Sequence, residues 1–115
     1  MSVTIYHNPR CSKSRQTLAI IEEKGITPTI IKYLEDTPDA TTLQKLVKQL
    51  GLKRAHDLLR TKEEEYKQAG LSPESDDDTV IAAMVKHPRL IERPIVVKGD
   101  KAVLGRPPEN VLELL

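Results

Sequence analysis

Val3-Thr4-Ile5-Tyr6-His7-Asn8-Pro9-Arg10-Cys11-Ser12-Lys13-Ser14-Arg15 is the stretch on which the reading of the chain turns. Val3 to Tyr6 is an alternating apolar run, and it reads as a strand. Ser12 to Lys24 is amphipathic and reads as a helix. Leu18 and Ile21 lie on one face, Ser14 and Thr17 continue that face toward the turn, and Gly25 suits a C-terminal cap. Cys11, the only cysteine, therefore falls on a strand-to-helix turn. Unpaired N–H groups and the positive end of the helix dipole favour negative charge there, which stabilises a thiolate. The same groups can seat an oxyanion. Arg10, Lys13 and Arg15 add positive potential. A lone cysteine can also be a small buried hydrophobe, and each of these cations can be an ordinary solvated charge.

Cys11-Ser12-Lys13-Ser14 is Cys-x-x-Ser, not the dithiol Cys-x-x-Cys, so the centre is monothiol. The rest of the composition narrows the function classes. At 115 residues the chain suffices for one domain with a real core. Charged residues make up 30%, yet 18 basic and 17 acidic residues leave a net charge of +1, which gives no nucleic-acid footprint. With no Trp, no Phe and three Tyr, base-stacking platforms are poorly supplied. No signal peptide or membrane-length apolar run is visible. One unpaired cysteine points to a reducing, cytoplasmic setting. His7, His56 and His87 are isolated, no zinc spacing occurs, and no metal or bound cofactor is expected.

Thr29 to Leu34 reads as a second strand. Strand, helix and strand within some thirty residues form a βαβ unit, with parallel strands and a right-handed crossover. After a polar loop, Leu43, Leu46, Val47 and Leu50 recur at helical spacing. Thr41 or Thr42 is placed to cap that helix and Gly51 to end it. Lys53 to Arg60 and Lys62 to Ala69 read as two shorter helices. Leu58 and Leu59 supply the buried side of the first, and Gly70 closes the second. Asp76, Asp77 and Asp78 favour a helix N-terminus. Val80, Ile81, Met84 and Val85 then mark an apolar face, and Pro88 stops that helix. Ile95 to Val97 and Ala102 to Leu104 flank Gly99-Asp100 as an antiparallel hairpin. Pro107 and Pro108 fit only the first turn of a final helix whose apolar face is Val111, Leu112 and Leu115. The expected architecture is α/β. It is one thioredoxin-like domain over residues 1–115 with a mixed four-stranded sheet and an all-helical insertion over about residues 38–90. In such a fold Pro94, just before the third strand, is a candidate for a cis peptide facing the cysteine turn. Arg93 then points near Cys11, and Arg106 lies at the same end of the sheet. Arg60 ends its helix and can project back. Spacing alone does not bring the three together, and each also fits an exposed surface charge.

His7 to Arg15, Leu58-Leu59-Arg60, Ile91-Glu92-Arg93-Pro94-Ile95-Val96-Val97 and Gly105-Arg106-Pro107-Pro108 together resemble the glutaredoxin-linked arsenate reductases, in the same order and over essentially the whole chain. The short chain and the basic turn are similar to the short chromosomal members. The resemblance implies that Cys11 attacks arsenate and that Arg60, Arg93 and Arg106 hold the oxyanion. Ser14 is implied at the substrate, with His7 and Pro94 supporting the turn. It also implies glutathione as cosubstrate, glutaredoxin as protein partner and a role in arsenic detoxification. Two other readings compete. One is a regulatory binding module like the Spx proteins, whose usual Cys-x-x-Cys switch Ser14 removes. The other is a glutathione-dependent thiol transferase acting on another substrate.

Overall fold

A computed structural model describes residues 2–115. The chain sorts into two compact units. One runs to Asp36 and resumes at Arg93 through Leu115, and the other is Thr37–Glu92.

The first unit is built on a four-stranded sheet. Its elements are β1 (Val3–Tyr6), α1 (Ser12–Glu23), β2 (Thr29–Ile31), β3 (Ile95–Lys98) and β4 (Lys101–Leu104), closed by a 3₁₀ helix at Pro108–Glu113. The strand order is β2-β1-β3-β4. β1 and β2 are parallel, while β3 is antiparallel to both β1 and β4. This is the mixed thioredoxin-like sheet expected from the βαβ and hairpin patterns. Val3, Ile5, Ile21, Val96 and Val111 form its buried core, with Leu18, Ile26 and Leu115 packed against them. Ser14, Thr17 and Ile21 are the buried stripe of α1. Gly25 ends that helix at φ +76°, a left-handed conformation that a residue with a Cβ adopts at a cost.

Register decides what meets at one end of this sheet. Tyr6 pairs with Ile31 on one side and with Ile95 on the other, and Ile95 pairs in turn with Leu104. The chain leaving β1 at His7, leaving β2 at Lys32, entering β3 at Arg93-Pro94 and leaving β4 at Gly105-Arg106 is therefore collected along a single edge.

The second unit holds α2 (Ala40–Gln49), α3 (Glu64–Gln68) and α4 (Asp77–Lys86), with 3₁₀ turns at Ala55–Leu58 and Pro88–Leu90. Its core includes Leu43, Leu46, Leu58, Val80, Met84, Leu90 and Ile91.

Several local expectations are corrected. β2 stops at Ile31, because the Lys32 carbonyl accepts the N–H groups of Glu35 and Asp36 and turns the chain. The cap of α2 is Asp39, whose carboxylate accepts the Thr42 N–H at 2.8 Å, not Thr41 or Thr42. The helix expected over Lys53 to Arg60 is only the Ala55–Leu58 3₁₀ turn. Leu59 bridges to Ile91, with Glu92 N–H donating to the Leu58 carbonyl and Arg60 N–H to that of Leu90, so these backbone groups are committed to an extended pairing. The next helix shrinks to Glu64–Gln68. The final element is 3₁₀, and its period near three leaves Leu112 45% exposed while Val111 is buried. Val85, expected on the inner face of α4, is 39% exposed.

Candidate active site

Cys11 is the N-cap residue of α1 and is partly buried. Its N–H donates to the Asn8 carbonyl at 3.0 Å, and its own carbonyl accepts from Arg15 N–H at 3.0 Å, so the turn is tied at both sides of the thiol. Burial pushes the thiol up. Hydrogen bonding from the Ser14 N–H, the Arg93 side chain and the Lys13 N–H, with the Arg93 charge, outweighs it and holds Cys11 below its ordinary value.

Ser14 and His7 form the inner support of the turn. The Ser14 hydroxyl is 2.6 Å from His7 Nδ1 and accepts the Asn8 N–H at 3.0 Å. The arrangement that uses each group once has the hydroxyl donating to Nδ1, with the imidazole proton on Nε2. Burial, then Lys32 and Arg15, depress the His7 basicity, which keeps the ring neutral. Ser14 was expected at the substrate. It is fully buried with its hydroxyl bonded to His7 and Asn8 inside the turn, and its backbone N–H is offered to the sulfur.

Arg93 and Arg106 belong to the same end of the sheet. Arg93 reaches the Cys11 sulfur, and Arg106 Nη1 donates to the Arg93 carbonyl at 3.3 Å. The Arg93-Pro94 peptide is cis, and so is Arg106-Pro107, which sequence reasoning did not single out. Pro94 is buried and its carbonyl accepts the Gly105 N–H at 2.9 Å. Gly105 is needed here for space. A Cβ would lie 2.5 Å from Thr17 Oγ1 and 2.7 Å from Pro94 Cγ. Arg60 lies in the Thr37–Glu92 unit, where its Nε meets Glu63 at 3.2 Å and its Nη1 meets Glu92 at 3.3 Å.

Two contributors, Asn8 and Lys32, were given no role from the sequence, and Arg15 was read there only as a source of positive potential. Asn8 Oδ1 accepts the Arg10 N–H at 3.0 Å, an Asx turn that the Asn-Pro pair signals. Arg15 Nη1 folds back to the Pro9 carbonyl at 2.9 Å. Lys32 comes beside His7 through the β1–β2 pairing, with His7 N–H donating to the Ile31 carbonyl at 2.8 Å. Among the described residues no group of three or more His, Cys, Asp or Glu could hold a metal ion, and no helix is long and apolar enough to cross a membrane.

The fold and this turn define a class: a thioredoxin-like protein with a single cysteine at the N-terminus of its first helix. Within that class, the ArsC family model matches residues 6–114, and the chain belongs to the ArsC family. It is 50% identical to an arsenate reductase of Haemophilus influenzae, over the whole of both chains. It is 52% identical to an uncharacterized Escherichia coli protein, YfgD, over 98% of this chain and 96% of that one. The solved structure of an arsenate reductase from Vibrio cholerae superposes with a TM-score of 0.96 at 55% identity, covering 100% of this chain and 98% of that one.

Proposed function

We propose that the protein is an arsenate reductase that converts arsenate to arsenite with electrons from glutathione and glutaredoxin. The observation that carries this reading is the place of the Cys11 sulfur at the N-terminus of α1, where the Ser14 and Lys13 N–H groups and Arg93 lower its pKa against burial. The names of the relatives agree with it.

Arg60, Arg93 and Arg106 hold the oxyanion. A planar guanidinium fork matches such an anion better than the point charge of lysine. The cations also offset the repulsion between a thiolate and an anion in the transition state. The Cys11 thiolate attacks arsenic and an arsenate oxygen leaves as water. A glutathione thiolate then attacks the Cys11 sulfur. The sulfur–arsenic bond breaks with its electron pair going to arsenic, which departs as arsenite, and Cys11 is left in a mixed disulfide with glutathione. A glutaredoxin thiolate attacks the glutathione sulfur and frees Cys11. No second cysteine exists to close an internal disulfide, so the second thiol comes from outside. A supply of reduced glutathione suits the cytoplasm.

The test is arsenate-dependent NADPH oxidation in a coupled assay with glutathione, glutathione reductase and glutaredoxin. Wild type turns over and Cys11→Ser does not. Mass spectrometry of enzyme trapped with arsenate and glutathione finds the glutathione mass on the Cys11 peptide. Multiple turnover with thioredoxin alone and no such adduct would overturn the electron route. Absence of any arsenate-dependent turnover would overturn the substrate.

A further inference from the structure

The cations at the reactive end of the sheet fall on two flanks of Cys11. On the β3–β4 side are Arg93 and Arg106, which the proposed reaction assigns to the oxyanion. Away from them are Lys32, just past β2, and Arg15, on the first turn of α1, and that reaction gives neither a task. Lys32 directly follows Ile31, whose carbonyl holds the His7 N–H. Arg15 starts one helical turn above the thiol, its N–H on the Cys11 carbonyl, and its guanidinium folds back over the Pro9 carbonyl. Both side chains are exposed, and among the described residues neither makes an ion pair. Glu35 and Asp36 follow Lys32 closely, but they engage its carbonyl through their backbone N–H groups. Register sets Lys32 beside His7, Arg15 ties down the turn that Ser14 joins to His7, and the charges of both act on the His7 ring. Two cations without an ion pair beside the cysteine turn suit an incoming anion, and the proposed reaction puts the oxyanion with Arg93, on the β3 side of β1.

We propose that Arg15 and Lys32 form a receiving site for a carboxylate of the small thiol that attacks the Cys11 sulfur. The proposal takes the identity of that thiol, glutathione, from the reductase reading. The site selects the cosubstrate by charge and does no bond chemistry. It guides a carboxylate-bearing thiol to the face of Cys11 left open while the oxyanion is held on the arginine side.

Two disulfide probes test the pair without arsenate. Dithiobis(nitrobenzoate) carries carboxylates and dithiodipyridine is neutral, and both react with the Cys11 thiolate. In Arg15→Gln/Lys32→Gln the anionic probe slows by about tenfold at low salt, from two exposed charge contacts. The neutral probe changes by less than about twofold, because such contacts are absent. With glutathione and arsenate, the KM for glutathione rises by a similar factor while the KM for arsenate holds. Lys24→Gln removes one charge at the far end of α1, about 18 Å away along twelve residues, and leaves all these rates at wild-type values. Equal slowing of both probes would mean that the thiolate itself had changed, and it overturns the proposal. So does an unchanged anionic rate, or a Lys24→Gln variant that matches the double variant. Charge-selective slowing in a protein that never turns over arsenate upholds the cation pair and rejects the reductase reading instead.

Discussion

Arg93 acts on the turn through both ends of the residue: its guanidinium reaches the Cys11 sulfur and its carbonyl receives Arg106. Arg93→Ala should therefore raise the Cys11 thiol above its wild-type value, because burial then opposes the thiolate with only the Ser14 and Lys13 N–H groups against it. Titration of thiolate absorbance, with Cys11→Ser as the blank, measures this. An unmoved midpoint would contradict the assignment. Gly105→Ala tests the packing behind the same residues. Its methyl group collides with Thr17 and Pro94, and overpacking of this kind costs about 1–3 kcal/mol. The urea midpoint should fall with an unchanged slope, and a midpoint equal to wild type would show that the site has slack. The cysteine turn was legible in the sequence because strand, turn and helix signals are local. The contact of Arg93 with Cys11 was legible only through the expected fold and not from spacing, since it depends on Tyr6 pairing with Ile95 across about ninety residues of chain.

In the second unit α2 and α4 start on side-chain caps. Asp76 accepts the Thr79 N–H at 2.8 Å, and Asp39 does the same for Thr42. The Thr79 hydroxyl and N–H hold the Asp76 carboxyl below its ordinary value. A carboxylate depressed in the folded state contributes stability above its unfolded pKa and loses it as the pH falls through the folded one. Asp76→Ala should thus lower the Tm at neutral pH, and the gap from wild type should close in acid. A gap that persists in acid would show that the cap acts through something other than its charge. Helices with a strong apolar period, α1, α2 and α4, were readable from sequence. The stretch around Leu58 and Leu59 misled because both are buried, as a helix face requires, but the backbone pairs with Leu90 to Glu92 instead. Periodicity reports which side chains are inside, not where the backbone hydrogen bonds go.

At the level of the molecule, the sheet core is the part that tolerates least. Ile5 is 0% exposed on a central strand, whereas Ile30 on β2 is 45% exposed. Ile5→Ala should cost about 2–5 kcal/mol, a large share of the roughly 5–15 kcal/mol typical of a domain. Ile30→Ala should stay within about 0.5 kcal/mol of wild type. Urea denaturation of the two variants decides this, and comparable losses would mean that β2 is far more enclosed than its exposure indicates.

The brevity of β2 has a consequence for the protein in a crowded solution. An outer strand offers its unused peptide groups to any passing chain, and long, flat outer strands seed stacking into fibrils. β2 offers three residues between Pro28 and Lys32. At the opposite border, β4 begins with the exposed Lys101. Proline, lysine and short length are the devices by which natural sheets discourage such templating. The lysine that follows β2, proposed above as a receiver of carboxylate, is one of these devices at the border of the sheet.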